Sequence, residues 1–329
     1  MKTQAISEHK LKYGKTDAQA VQSGINGLLR KMSKYKLLYV LLFPGLAYYL
    51  VFRYIPLWGY LIAFKDLSPF EGLEAIFTGK WVGLRHFRDF IQSYYFWNIF
   101  QNTVILAVYR LAAEFTIPIF LAVLINEVKN IYFKKVVQTI SYMPYFISNV
   151  VLAGLVFTLF STNGGLVPQI VQLFGGQSRY YVTDPNYFRG ILLGAIVWKN
   201  VGWSSIIYLA AMSGVDPQLY EASQIDGASK WQQIWKITLP SISFAIVIMF
   251  ILRIGVIMNE GWEETLLLYS PAVYQVGDII DTYVYRTGLE QFKYSFATAV
   301  NFFKSVIGLL LVVGSNALAK KLGQQSMYS

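Results

Sequence analysis

Long apolar runs separated by short polar stretches dominate the chain. Six of them reach the roughly 20 residues that a helix needs to cross the hydrocarbon of a bilayer. They cover about residues 37–56, 103–125, 136–160, 191–212, 242–260 and 296–318, with 57–64 either prolonging the first or lying at the interface. The pattern predicts an all-α polytopic membrane protein of about six transmembrane helices, with the membrane domain over 37–318.

The polar segments between these runs alternate in charge. Taken in turn, 1–36, 126–135, 213–241 and 319–329 hold fifteen Lys and Arg, whereas 65–95, 161–186 and 261–292 hold six. Positive segments stay on the cytoplasmic side. Both termini, with tails 1–36 and 319–329, are therefore expected in the cytoplasm. The first tail is long and polar, and the run after it lacks a small-residue cleavage site, so it does not read as a cleavable signal.

Composition agrees with lipid as the solvent. Of the 329 residues 55% are hydrophobic and 14% charged, against roughly 25% charged in a soluble domain. The net charge of +10 would suggest nucleic acid in a soluble protein; here eight of the cations fall in the first 36 residues, and topology explains them without a nucleic-acid partner. With no cysteine, disulfides, thiolate metal sites and a cysteine nucleophile are excluded. The two histidines, His9 and His86, stand in a tail and a loop. No H-E-x-x-H, G-x-S-x-G or P-loop pattern occurs. The chain is thus expected to be no enzyme by itself and to hold no catalytic residue, cofactor or metal.

Among the outer loops, 65–95 and its junction with the second run are crowded with Trp81, Phe87, Phe90, Tyr94, Phe96 and Trp97. Interfacial anchoring and a docking surface for an external partner both fit such a cluster.

The loop 213–241 is the most informative segment. Asp216 suits an N-cap and Pro217 the first helical position. Gly227 suits a helix end in the left-handed conformation. Ser229 and Gln232 suit a capping box, and Pro240 marks the junction with the fifth run. Two short helices follow, with stripes of Leu219, Ala222 and Ile225 and of Trp231, Ile234, Trp235 and Thr238. Helices this short are marginal alone. They must bury against a partner, against the membrane surface or against their own bundle.

Here the sequence resembles a known family. Glu221-Ala222-Ser223, three residues, Gly227, nine residues and Ile237-Thr238-Leu239-Pro240 are similar to the cytoplasmic motif of permeases of binding-protein-dependent ABC importers. Ser stands in the third position where that motif has Ala. Phe43-Pro44-Gly45, Trp81-Val82-Gly83-Leu84, Asn126-Glu127-Val128, Met143-Pro144, Trp198-Lys199, Gly202-Trp203 and Ile207-Tyr208-Leu209-Ala210-Ala211 resemble the oligosaccharide branch of the carbohydrate-uptake permeases. That branch includes importers of alginate and pectin fragments.

The resemblance implies the ABC importer permease fold and a set of partners. These are an ATPase dimer that carries ATP and Mg, a second permease that is usually a different chain, an external solute-binding protein and an oligosaccharide substrate. It implies that the loop is a coupling element, with Glu221 as polar contact to the ATPase, Ala222 and Ser223 permitting close packing, Gly227 making the turn and Asp226 a weaker candidate. A secondary transporter or channel would explain six spans but not this motif.

Ionisable groups within spans are costly and face a cavity or a partner. Arg53, Arg110, Glu114, Lys199, Arg253, Glu260 and Lys304 lie in or at the edges of the runs. Arg110 and Glu114 are spaced to pair on one helix, whereas Arg53 and Glu260 lie near predicted ends, where side chains can reach the interface. Trp198, Lys199, Asn200 and Trp203 combine polar groups and aromatic faces, which suits a sugar path; an interhelical hydrogen-bond network fits equally. Asn301 and Lys304, one turn apart, are candidates for the same path, and Arg253 is a third. Cations outnumber acids in these interiors, which favours acidic, uronic-acid-like oligosaccharides over neutral ones.

Overall fold

The computed structural model describes residues 34–67, 70–72, 74–259 and 261–321. Most of the two expected tails and Glu260 lie outside them. The chain divides into two compact units, Met1–Leu61 and Ile62–Ser329.

Helix α1 runs Lys36–Phe64 without a break. It is α-helical to Tyr49, then passes through a π turn and a 3₁₀ stretch. Residues 57–64 therefore prolong the first run, and Arg53 sits inside the helix rather than near its end. Through its α-helical part no side chain is buried. So much apolar surface would be untenable in water and suits lipid.

Beyond α1, Lys65–Asp66 (β1) pairs antiparallel with Lys80–Trp81 (β2). Helix α2 (Arg85–Ile91) leads to α3 (Phe96–Glu127), which starts seven residues before the expected run at 103. The third run is not one straight helix. It is Ile131–Phe146 (α4) and Asn149–Leu159 (α5), bent by 102°. Two local features make the bend: a 3₁₀ turn carrying Pro144 ends α4, and the Ser148 hydroxyl accepts the Val151 amide to cap α5. Helix α6 covers Pro185–Ser213. Next come α7 (Pro217–Ile225) and α8 (Lys230–Ser241), the latter meeting α9 (Ser243–Val256) at 63°. The connection that follows holds α10 (Trp262–Leu268), a turn at Tyr274–Gly277, and α11 (Ile280–Tyr285) with a π turn Arg286–Glu290. Helix α12 runs Tyr294–Lys321. Among the described residues four helices are long and apolar enough to cross a membrane, and up to six spans result when each bent pair counts as one.

Among the described residues, three apolar clusters hold the second unit together. Leu106, Val156, Phe188, Leu192 and Ile196 of the long helices close over Leu268, Val273 and Ile279 of the connection. Phe90, Phe96 and Ile99 pack on Ile280, Tyr283 and Val300. Ala122, Val123, Tyr208 and Met212 enclose Ile234 and Ile242. The segments between spans are thus parts of the core. Burying one such side chain contributes about 1.5–3 kcal/mol relative to exposure in water.

Candidate functional site

The hairpin α7–α8 is specified almost wholly by near neighbours. Asp216 accepts the Gln218 amide at 2.9 Å and Pro217 takes the first helical position. Gly227 has φ +75°, and around it the Ala228 amide reaches Ser223 O at 2.9 Å while the Gly227 amide reaches Gln224 O at 3.1 Å. This is the pair of bonds that closes a helix through a left-handed residue. Nothing lies within 4 Å of a Cβ added at Gly227, so φ rather than crowding requires glycine there. Ser229 and Gln232 form the capping box of α8.

The contacts between the hairpin's two helices are polar. Gln233, 2% exposed, donates from Nε2 to Ser223 Oγ at 2.9 Å, and Ser223 Oγ donates to Tyr220 O at 2.8 Å. Tyr220 and Thr238 share a hydrogen bond at 2.9 Å. Ser at the third position of the Glu-Ala-Ser triplet therefore acts as a brace between the two helices. Lys230 and Glu127 of α3 form an exposed ion pair at 3.4 Å, worth at most about 1 kcal/mol.

Outward, Glu221, Ala222, Asp226 and Gly227 are exposed. Leu219 joins them, and Ile225 is 87% exposed. Of the second predicted stripe only half turns inward: Ile234 and Thr238 are buried, whereas Trp231 and Trp235 are exposed and stand edge to face at 6.1 Å. Ile234 packs among α3 and α6 side chains, joining the hairpin to the spans.

The candidate path residues fall into three separate clusters. In the first, Glu114 is the hub. It faces Arg110 at 3.6 Å, accepts Asn200 Nδ2 at 2.9 Å and accepts Arg253 Nη2. Arg253 thus closes an ion pair rather than standing free, and the predicted Arg110–Glu114 pair is a triad of charges. An added Cβ at Gly261 would overlap the Arg110 guanidinium, so the connection after α9 reaches this cluster.

In the second cluster, Lys199 Nζ donates to Asn149 Oδ1, and Asn149 Nδ2 donates to Glu263 Oε2 at 2.6 Å. Of the tryptophans near Lys199, Trp203 stacks on Tyr145 with centroids 4.6 Å apart, and Trp198 lines an apolar groove of about 390 Å³ between α5 and α6. In the third cluster, Lys304 pairs with Asp281. That pairing takes Lys304 to α11, not to Lys199. Asn301 lines a cleft of about 380 Å³ with Asp281, Trp262 and Tyr285.

Sequence reading missed Asn149, Glu263, Asp278 and Asp281. Three of the four lie in the connection 261–292, taken as a loop, yet they neutralise or tether cations of the membrane domain. Asp278 holds Arg286 through bonds of 2.5 and 3.2 Å. Arg286 also lies over the Tyr274 ring at 4.5 Å. Burial opposes the Arg286 charge, but Asp278's hydrogen bonds and charge outweigh it and raise its pKa. Nearby, burial and the neighbouring Tyr274 push the Tyr269 phenol up to about 12, against a smaller pull from Arg286, so it stays neutral.

A family model described as "Binding-protein-dependent transport system inner membrane component" matches residues 115–324. The chain belongs to that family. The permease is 44% identical over 301 residues to the polygalacturonan/rhamnogalacturonan transport system permease protein YteP of Bacillus subtilis (strain 168), covering 92% of this chain and 93% of the relative. Protein LplB of the same organism is 39% identical over 316 residues, covering 95% and 98%. A chain from the crystal structure of a bacterial alginate ABC transporter in complex with alginate pentasaccharide-bound periplasmic protein superposes with a TM-score of 0.83 at 37% identity. That match covers 91% of this permease and 99% of that chain. The protein has the ABC importer permease fold and is a transport component.

Proposed function

We propose that the permease carries acidic oligosaccharides, fragments of uronic-acid polymers, across the cytoplasmic membrane, driven by ATP hydrolysis on a separate ATPase. The observation that carries this reading is the full-length likeness to a chain of an alginate transporter, 37% identical with a TM-score of 0.83. A relative named for polygalacturonan and rhamnogalacturonan, 44% identical, supports the same substrate class. One observation favours neutral oligosaccharides instead: Arg253 and Lys304 are paired with Glu114 and Asp281, which reduces the positive surplus inferred from the spans.

In this reading both termini face the cytoplasm, and the hairpin sits in a cleft of the ATPase. Glu221 supplies a polar contact there, while Ala222 and the half-buried Ser223 let the surfaces approach. Closure of the ATPase dimer moves α7–α8 as a unit, and Ile234 passes that motion to α3 and α6. A second permease completes the path, and a binding protein delivers sugar from outside. Asn200, Lys199 and Arg253, each held by acid or amide partners, supply polar groups where the path crosses this chain.

The test is uptake into vesicles holding the complete complex. Galacturonate oligomers should enter only with ATP on the ATPase side and with the binding protein present. Uptake that persists without ATP and follows an ion gradient would refute the importer reading. ATP-driven uptake confined to neutral sugars would refute the acidic one.

A further inference from the structure

A broad cleft is distant in sequence from the hairpin. It measures about 880 Å³ and lies between the start of α3 and the connection 274–293. Small-molecule sites typically span roughly 300–1,000 Å³, so this one has room for more than a single sugar ring. Tyr94 and Trp97 line one side, 92% and 66% exposed, with Asn98 and Gln101 one helical turn on. Gln275, Gln291 and Lys293 line the other. The floor is rigid, because Arg286 is fixed by Asp278 and lies over the rings of Tyr274 and Tyr283.

The wall is also strained. Phe292, between the lining residues Gln291 and Lys293, has φ +57° and is, among the described residues, the one residue other than glycine with positive φ. A bulky residue there is an outlier, and such strain concentrates at ligand clamps. It is held by the Lys293 amide on Thr287 O at 3.0 Å and the Gln291 amide on Arg286 O at 3.1 Å, just beyond a π turn.

We propose that this cleft is an outer saccharide-holding site, where an acidic oligosaccharide first contacts the permease before it enters the spans. The proposal rests on the importer reading and adds to it a second place of contact. Exposed aromatic faces carry partial negative charge and receive the positive C–H faces of a sugar ring. The amides of Gln101, Gln275 and Gln291 each offer a donor and an acceptor to hydroxyls. Both acids of the cleft are already engaged, Asp278 by Arg286 and Asp89 by Arg85 at 3.8 Å. The cation left over is Lys293, for whose amine no partner is found among the described residues, so the site favours a carboxylate.

The complete transporter in vesicles gives the test, with a galacturonic acid tetramer and a neutral hexose tetramer as probes. Replacing Tyr94 and Trp97 together by Ala should raise the half-saturating concentration for the uronate roughly three- to tenfold, with basal ATP hydrolysis unchanged. Lys293→Gln should raise it roughly two- to fivefold for the uronate and leave the neutral sugar as it was. Saturation-transfer NMR on the complex without binding protein should detect the uronate on the wild type and lose it in the double variant. Unchanged uptake and unchanged NMR contact in both variants would overturn the site. So would a rise only in the binding-protein concentration needed, which would make the cleft a protein-docking surface. Wild-type vesicles without ATP-driven uptake would sink the importer reading instead, and the NMR comparison would still decide the cleft.

Discussion

The α7–α8 hairpin and the connection 261–292 both join spans, and they are held in opposite ways. Apart from the ion pair of Lys230 with Glu127, the hairpin's polar contacts are made by neighbours: Asp216 with Gln218, Gly227 with Gln224, Ser229 with Gln232, Ser223 with Gln233, and at most the step from Tyr220 to Thr238. The connection depends on distant partners: Glu263 on Asn149, Asp278 on Asn102, Asp281 on Lys304. Both carry exposed apolar side chains, Leu219 and Ile225 on α7 and Trp262, Leu289 and Phe292 on the connection, so the difference lies in their polar partners. A segment folded by its own caps can present a face to another subunit and move as a unit. One tied into the bundle at several points moves only with the bundle.

The contrast is broken most sharply at Asp278. In Asp278→Ala the half-buried Arg286 guanidinium loses its carboxylate. A fully buried charge left unpaired costs about 3–5 kcal/mol, and the loss here should lie toward or below the lower end of that range. Thermal unfolding of the purified protein should show a large global loss, and a loss no greater than that of a hairpin variant would dissolve the distinction. Gly227→Val comes next. The left-handed conformation costs an L-residue about 1–2 kcal/mol, and the loss should stay within the hairpin. Uptake and stimulated ATP hydrolysis should fall while the melting temperature of the bundle hardly moves. The smallest effect belongs to Ser223→Ala. It removes one hydrogen-bond partner of the buried Gln233 amide, a cost of about 1 kcal/mol. Hydrogen exchange of the α7 amides should quicken, and those of α10 and α11 should not change.

The same contrast explains what could be read from sequence. Every cap of the hairpin was legible because cap, turn and box lie within a few residues of one another. The six apolar runs were legible because lipid demands length. The bend between α4 and α5 was not, since the apolar run passes through it, although Pro144 and Ser148 carried a local signal. The pairing of Arg253 with Glu114 joins residues 139 apart, and Glu263 reaches Asn149 across 114. No spacing rule spans such separations. The surplus of cations counted along the spans looked like a substrate feature because Asp281, which pairs with Lys304, and Glu263, which is linked to Lys199 through Asn149, sit in a segment that reads as a loop. The inward turn of Ile234 and Thr238 without Trp231 and Trp235 also needed the bundle, because periodicity defines a stripe and not what covers it.

The exposed face of α7 gives the most direct test. The chain has no cysteine, so Ala222→Cys introduces its single thiol. With one cysteine placed in the cleft of the ATPase subunit, oxidation of the assembled complex should join the two chains, and reduction should restore ATP-driven uptake. No cross-link from position 222, together with labelling of that thiol by an impermeant reagent added outside intact cells, would contradict the hairpin's role.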